Sequence, residues 1–166
     1  MRPRWPLLLV ALAAAACGGG EEEGAGQAAA GPPLDACQLF RPEDAKAVLE
    51  GNVGLMQSVA EDELGRDLNV CGYSTGGAPA DFAGLKLHHH RSAQRAERAL
   101  GAAGSALGGE EAAGLGEGAV WAPRLGQLHV RRGSLQLTVT IQAPQVDDVY
   151  GAARQVARKA LSRLPA

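Results

Sequence analysis

Gln127-Leu128-His129-Val130-Arg131-Arg132-Gly133-Ser134-Leu135-Gln136-Leu137-Thr138-Val139-Thr140-Ile141-Gln142 is the stretch that decides the fold. In its second half Leu135, Leu137, Val139 and Ile141 alternate strictly with Gln136, Thr138, Thr140 and Gln142. Successive side chains of a strand point to opposite faces, so this period of two describes a half-buried strand with one wet face. One wet face is typical of antiparallel sheet. Arg132-Gly133 supplies a tight turn, which makes residues 127–131 and 134–142 a hairpin. A tight turn at this place argues against an all-parallel arrangement.

Working outward, Asp147 and Asp148 open a closing helix. Val146, Val149, Ala153, Val156, Ala160, Leu161 and Leu164 form its apolar stripe, and Arg154, Arg158 and Arg163 are expected to face away, with positive charge near the C-terminal end suiting the dipole. Upstream, residues 119–122 read as a short strand containing Trp121. Residues 92–107 read as a helix with Ala93, Ala96, Leu100, Ala103 and Leu107 on one face. That face is alanine-rich and buries little, and Gly101 and Gly104 each weaken the helix by up to about 1 kcal/mol relative to Ala. Residues 83–90 read as a strand with Leu85, Leu87 and His89 on one face and Lys86, His88 and His90 on the other. A turn at 76–79 separates it from a strand at 68–75, which carries Cys71 and Tyr73 on one face. Residues 52–67 are mostly loop, with one further short strand suggested at 55–59. Residues 40–51 read as a short helix, with Pro42 in its first turn, Glu43 and Asp44 at its positive end, and Gly51 as C-terminal cap. Ala45, Val48 and Leu49 share its inner face. The expectation is an α+β domain: an antiparallel sheet of about five strands packed by N-terminal, middle and C-terminal helices. It spans residues 34–166 as one domain, after the breaker pair Pro32-Pro33.

The N-terminus is of another kind. Met1-Arg2-Pro3-Arg4 is short and basic, residues 7–16 are an unbroken apolar run of ten, and Ala14-Ala15-Ala16 leads into Cys17. Ten residues fall far short of the roughly 20 that span a bilayer as a helix. The layout is that of a signal peptide over residues 1–16. Ala14-Ala15-Ala16-Cys17 resembles the bacterial lipobox, with Ala14 where Leu is usual, and places lipidation on Cys17. Cleavage after an ordinary Ala-x-Ala site is the competing reading. Residues 17–33, rich in Gly and Glu, read as a flexible tether with nothing to bury. Acyl chains contribute roughly 0.8 kcal/mol per buried methylene, so a lipidated Cys17 attaches the chain to a membrane without a spanning helix. Gly18 carries no inner-membrane retention signal, so in a diderm the outer membrane is the default.

The chain has three cysteines. Lipid on Cys17 leaves Cys37 and Cys71, an even pair in a compartment where disulfides persist. Two buried thiols are the alternative; a nucleophilic Cys71 lacks an activating base in the local sequence. Formal charge is -2, and losing Arg2 and Arg4 takes the mature chain to about -4. That excludes a nucleic-acid footprint, which needs a strongly basic patch.

Asp35-Ala36-Cys37-Gln38-Leu39-Phe40 with Pro42-Glu43-Asp44-Ala45, then Val70-Cys71-Gly72-Tyr73-Ser74, then Gly114-Leu115-Gly116-Glu117-Gly118-Ala119-Val120-Trp121 together resemble small bacterial lipoproteins of the DUF3558 type. Glu117 stands where that type has Asp, and Trp121 sits one place later than its aromatic residue. The resemblance covers most of residues 34–164. It implies a lipid-anchored extracytoplasmic domain with a Cys37–Cys71 disulfide, and it carries over no catalytic residue.

Among candidate sites, His88 and His90 share a strand face, and an outward-facing His129 joins them if the strands pair. Three imidazoles can ligate zinc or copper, making a metal-binding lipoprotein the alternative function. The plainer reading is a polar strand end with His89 partly packed. Gly114-x-Gly116-x-Gly118 has the glycines of a phosphate loop but lacks its lysine and precedes a strand. Glu21-Glu22-Glu23 reads as part of the solvated tether, and Glu61-Asp62-Glu63 as exposed loop or a weak calcium site. Arg131-Arg132 reads as solvent-facing turn, or as a contact for anionic head groups or glycan. No Gly-x-Ser-x-Gly elbow occurs. The leading expectation is therefore a non-enzymatic, membrane-anchored envelope module, without cofactor, that binds a protein or a small ligand.

Overall fold

The computed structural model describes residues 34–51, 53–59, 68–76 and 80–165. The expected signal peptide, Cys17 with its lipid, the tether at 17–33, Glu61-Asp62-Glu63 and most of the turn at 76–79 lie outside the described residues. Among the described residues no helix is long and apolar enough to cross a membrane.

In chain order the elements are α1 (Ala36–Leu39), α2 (Pro42–Leu49), β1 (Val53–Val59), β2 (Leu68–Thr75), β3 (Phe82–His89), α3 (Ala93–Leu107), β4 (Glu110–Glu111), β5 (Gly118–Ala122), a 3-10 turn (Pro123–Leu125), β6 (Gln127–Arg132), β7 (Leu135–Gln142) and α4 (Val149–Ser162). One sheet of seven strands runs β1-β2-β3-β7-β6-β5-β4, antiparallel throughout. The mixed α+β class stands, and the strand count is seven instead of about five. The two strands beyond the core five have weak patterns for physical reasons. A register shift between Leu55 and Gln57 breaks the alternation of β1, and β4 is only two exposed glutamates long.

Register turns the alternation of single strands into apolar rows across the sheet. Cys71 lies opposite Leu85, Leu85 opposite Val139, Val139 opposite Leu128, and Leu128 opposite Trp121. The next row joins Leu87, Leu137, Val130 and Ala119. These rows are buried together with Ala153, Val156, Ala157 and Ala160 of α4 and with Phe40, Ala45 and Leu49 around α1 and α2. Full burial of a Leu or Val side chain contributes roughly 1.5–3 kcal/mol, so the two rows carry much of the fold.

The N-terminal helices are pinned to this face by specific bonds. Asp35 caps α1 through Cys37 N–H at 2.8 Å, and Asn69 of β2 accepts from Ala36 N–H at 2.9 Å while donating to the Leu34 carbonyl. Cys37 lies inside α1 and is bonded to Cys71 with a Cα–Cα separation of 5.0 Å. Tyr73 donates to the Phe40 carbonyl, and their rings meet edge to face at 5.2 Å. At the end of α2 the left-handed conformation expected of Gly51 falls one residue earlier, on Glu50 at φ 46°.

α3 lies on the other face. Leu100 reaches Gly118, and Gly104 and Gly109 sit against Val120. Ala119 and Trp121, which alternate with these β5 residues, join the main core, and the Trp121 ring meets that of Tyr150 of α4 at a tilt, centroids 5.2 Å apart. α3 and α4 therefore sandwich the β5–β6–β7 half of the sheet. Small residues make this possible, because a Cβ on Gly109 would collide with Val120. Farther along the same outer face, the Phe82 ring lies over Gly72 and Gly84, leaving no room for a Cβ on either.

Candidate functional site

The three expected histidine ligands are neighbours on the outer sheet face, but they do not converge on one point. The His88 and His90 rings are tilted against each other with centroids 4.3 Å apart. His90 Nε2 meets Gln136 Oε1 at 2.9 Å, and Gln136 Nε2 approaches His129 Nδ1 at 3.5 Å. Gln136 thus stands between His90 and His129. His129 faces outward on β6 as expected, yet it is only 6 % exposed because α3 covers that face. Its Nδ1 bonds Thr138 Oγ1 at 3.1 Å, while its buried Nε2 has no partner. Burial, with a smaller effect from the Lys86 charge, pushes its pKa below the usual 6.5. No group of three His, Cys, Asp or Glu side chains able to hold a metal ion occurs among the described residues. His89, expected to be partly packed beside Leu85 and Leu87, is exposed at the end of β3.

Several charged side chains read as solvent-facing are built into the structure. Arg163 turns inward and donates Nη1 to the Leu39 carbonyl at 2.7 Å and both Nη groups to Asp44, which is 2 % exposed. Lys159 adds an ion pair to the same carboxylate at 3.0 Å. Burial alone would raise the Asp44 pKa; the bonds from Arg163, the Arg41 backbone N–H and Lys159, with the Arg163 charge, hold it at about 2. Arg154 lies over the Tyr150 ring, 5.4 Å from its centroid. Arg131 is likewise not a solvent-facing turn residue. Its side chain is 15 % exposed and pairs with Glu117, whose carboxylate also accepts from Gly133 N–H at 3.0 Å. The 114–118 loop docks on the β6–β7 hairpin by these bonds and by Glu117 N–H to the Arg131 carbonyl at 2.8 Å. Gly116, at φ +54°, lies so close to that carbonyl that no Cβ fits. Gly116 of this motif serves hairpin docking.

A different surface carries a concavity. An open groove of about 470 Å³ lies between the 3-10 turn, the end of β7 and the start of α4. Trp121, Pro123, Leu125, Ile141, Pro144 and Val149 give it apolar walls, and Arg124 and Gln142 are its polar lining residues. Leu125 is 43 % exposed, a large apolar side chain left open to solvent. Gly126, at φ +59°, packs against the Ile141 carbonyl so tightly that only glycine fits, which fixes the turn beside β7.

No protein-family model and no curated protein matches this chain. The groove is consequently weighed on its own chemistry. Its lining residues run from Ala80 to Val149 and come from strand ends, a turn and a helix start. No motif marks them; the one signal available in sequence is Pro123-Arg124-Leu125-Gly126, a breaker-rich turn presenting a leucine directly before a strand.

Proposed function

We propose that this protein is a lipid-anchored extracytoplasmic module that binds an apolar group of its partner non-catalytically, in the groove between the Pro123–Leu125 turn and α4. The groove carries this reading: eight of its lining side chains are apolar or aromatic, and among the described residues neither carboxylate, imidazole nor thiol lines it. Ligand sites are typically concave, mostly apolar and furnished with a few polar groups, within roughly 300–1,000 Å³. The Cys37–Cys71 disulfide supports an oxidising compartment, and the lipobox-like sequence at Cys17 supplies the anchor. The DUF3558-type resemblance is consistent with both assignments. In a diderm the protein would sit at the outer membrane.

N-phenylnaphthylamine, a neutral apolar fluorophore, tests the groove. Its fluorescence should rise saturably with the mature chain, and Leu125→Asp should weaken binding at least about fivefold with an unchanged melting temperature, since Leu125 is substantially exposed. A rise that does not saturate, or that Leu125→Asp leaves untouched, would overturn the assignment.

A further inference from the structure

Resting on the groove as a binding surface, we infer that its ligand is a single-chain anionic amphiphile. The alkyl chain lies along Trp121, Leu125 and Val149, and the carboxylate or phosphate head meets Arg124. Charge complementarity carries this. Among the described residues Arg124 is the one charged residue in the lining; it is exposed and makes no hydrogen bond or ion pair with them. A guanidinium presents a planar fork of donors that matches carboxylate and phosphate oxygens two at a time. Gln142 adds a neutral donor in the same lining. The acids nearest in sequence do not line the groove. Asp148 is turned into α4 as its N-terminal cap, accepting from Gly151 N–H at 2.7 Å, and Asp147 is also absent from the lining.

The apolar walls set the other end of the ligand. Trp121 is held from behind by Tyr150, which in turn lies under Arg154, so the ring facing the groove is braced. Leu125 and Pro123 are exposed on the turn above it. A ligand that was only an anion would leave these surfaces in water, and a purely apolar one would leave Arg124 unused. An amphiphile engages both.

Trp121 also provides the measurement. The chain's other tryptophan, Trp5, falls in the segment expected to be removed, so fluorescence of the mature chain from residue 17 reports Trp121. Dodecanoate, dodecyl phosphate and neutral dodecyl maltoside are titrated, each below its micelle-forming concentration. Both anionic probes should bind saturably and about five- to tenfold more tightly than the maltoside, the scale of one partly exposed charge-assisted contact. Arg124→Glu should reverse that order. Equal affinity for all three, or an order unchanged by Arg124→Glu, would overturn the anionic head while leaving the groove in place. Absence of saturable binding by all three probes and by N-phenylnaphthylamine would overturn the groove reading as well.

Discussion

Asp44 and Arg163 are 119 residues apart in sequence and close the last helix onto the first two. A carboxylate this buried is tolerated because Arg163, Lys159 and the Arg41 backbone N–H all serve it. Arg163→Met removes the main partner and leaves the buried charge to Lys159 and the Arg41 N–H, which should cost about 3 kcal/mol in urea unfolding. Arg158→Met, at an exposed position of the same helix, should change stability by less than about 0.5 kcal/mol. The Asp44 pKa is depressed from 3.8 to about 2, so its contribution is complete above pH 3.8 and is lost as pH falls towards 2. That contribution is about 2 kcal/mol. Equal effects of the two arginine substitutions would refute the closure. At this scale the sequence was misleading: amphipathic periodicity assigns every arginine off the stripe to solvent, and only a distant carboxylate draws Arg163 back.

The elements themselves were mostly legible, because β7, β6 and α4 carry unbroken periods. The placement of α3 was not. Its alanine face shows that something small packs there, but periodicity cannot say which side of a sheet a helix covers. That side decides the state of His129. Its Nδ1 is served by Thr138 and Gln136, its Nε2 is buried without an acceptor, and Lys86 is the charge acting on it. Protonation would place a charge in this buried site and set an Nδ1 N–H against the Gln136 donor. With the folded pKa below 6.5, the unfolded chain binds the extra proton, so stability is full above pH 6.5 and declines as pH falls below it. Protection factors of the α3 amides, with rates corrected for the base-catalysed intrinsic exchange, should therefore fall between pH 7.5 and pH 5, and His129→Leu should reduce that fall. An identical fall in the variant would place its origin elsewhere. The weaker strands β1 and β4 escape periodicity for simpler reasons, a bulge in one and a length of two residues in the other.

For the whole molecule, the cysteines divide the labour. Cys37 and Cys71 are joined, closing a sequence separation of 34 residues, which by the chain-entropy estimate is worth about 3–4 kcal/mol. Their pairing was readable from parity and from the resemblance, since both depend on local sequence. The groove was not readable: its walls come from segments between Ala80 and Val149 that only the folded sheet assembles. The proposed membrane attachment rests on Cys17, which would hold the domain and its proposed binding groove beside the membrane. The direct measurement is fractionation of cells producing the wild-type protein and Cys17→Ser, with mass spectrometry of the purified N-terminus. The wild type should be found in the membrane fraction with an acylated Cys17 as its first residue, and the variant should be released from that fraction. An unacylated wild-type N-terminus, or partitioning unchanged by Cys17→Ser, would contradict the account.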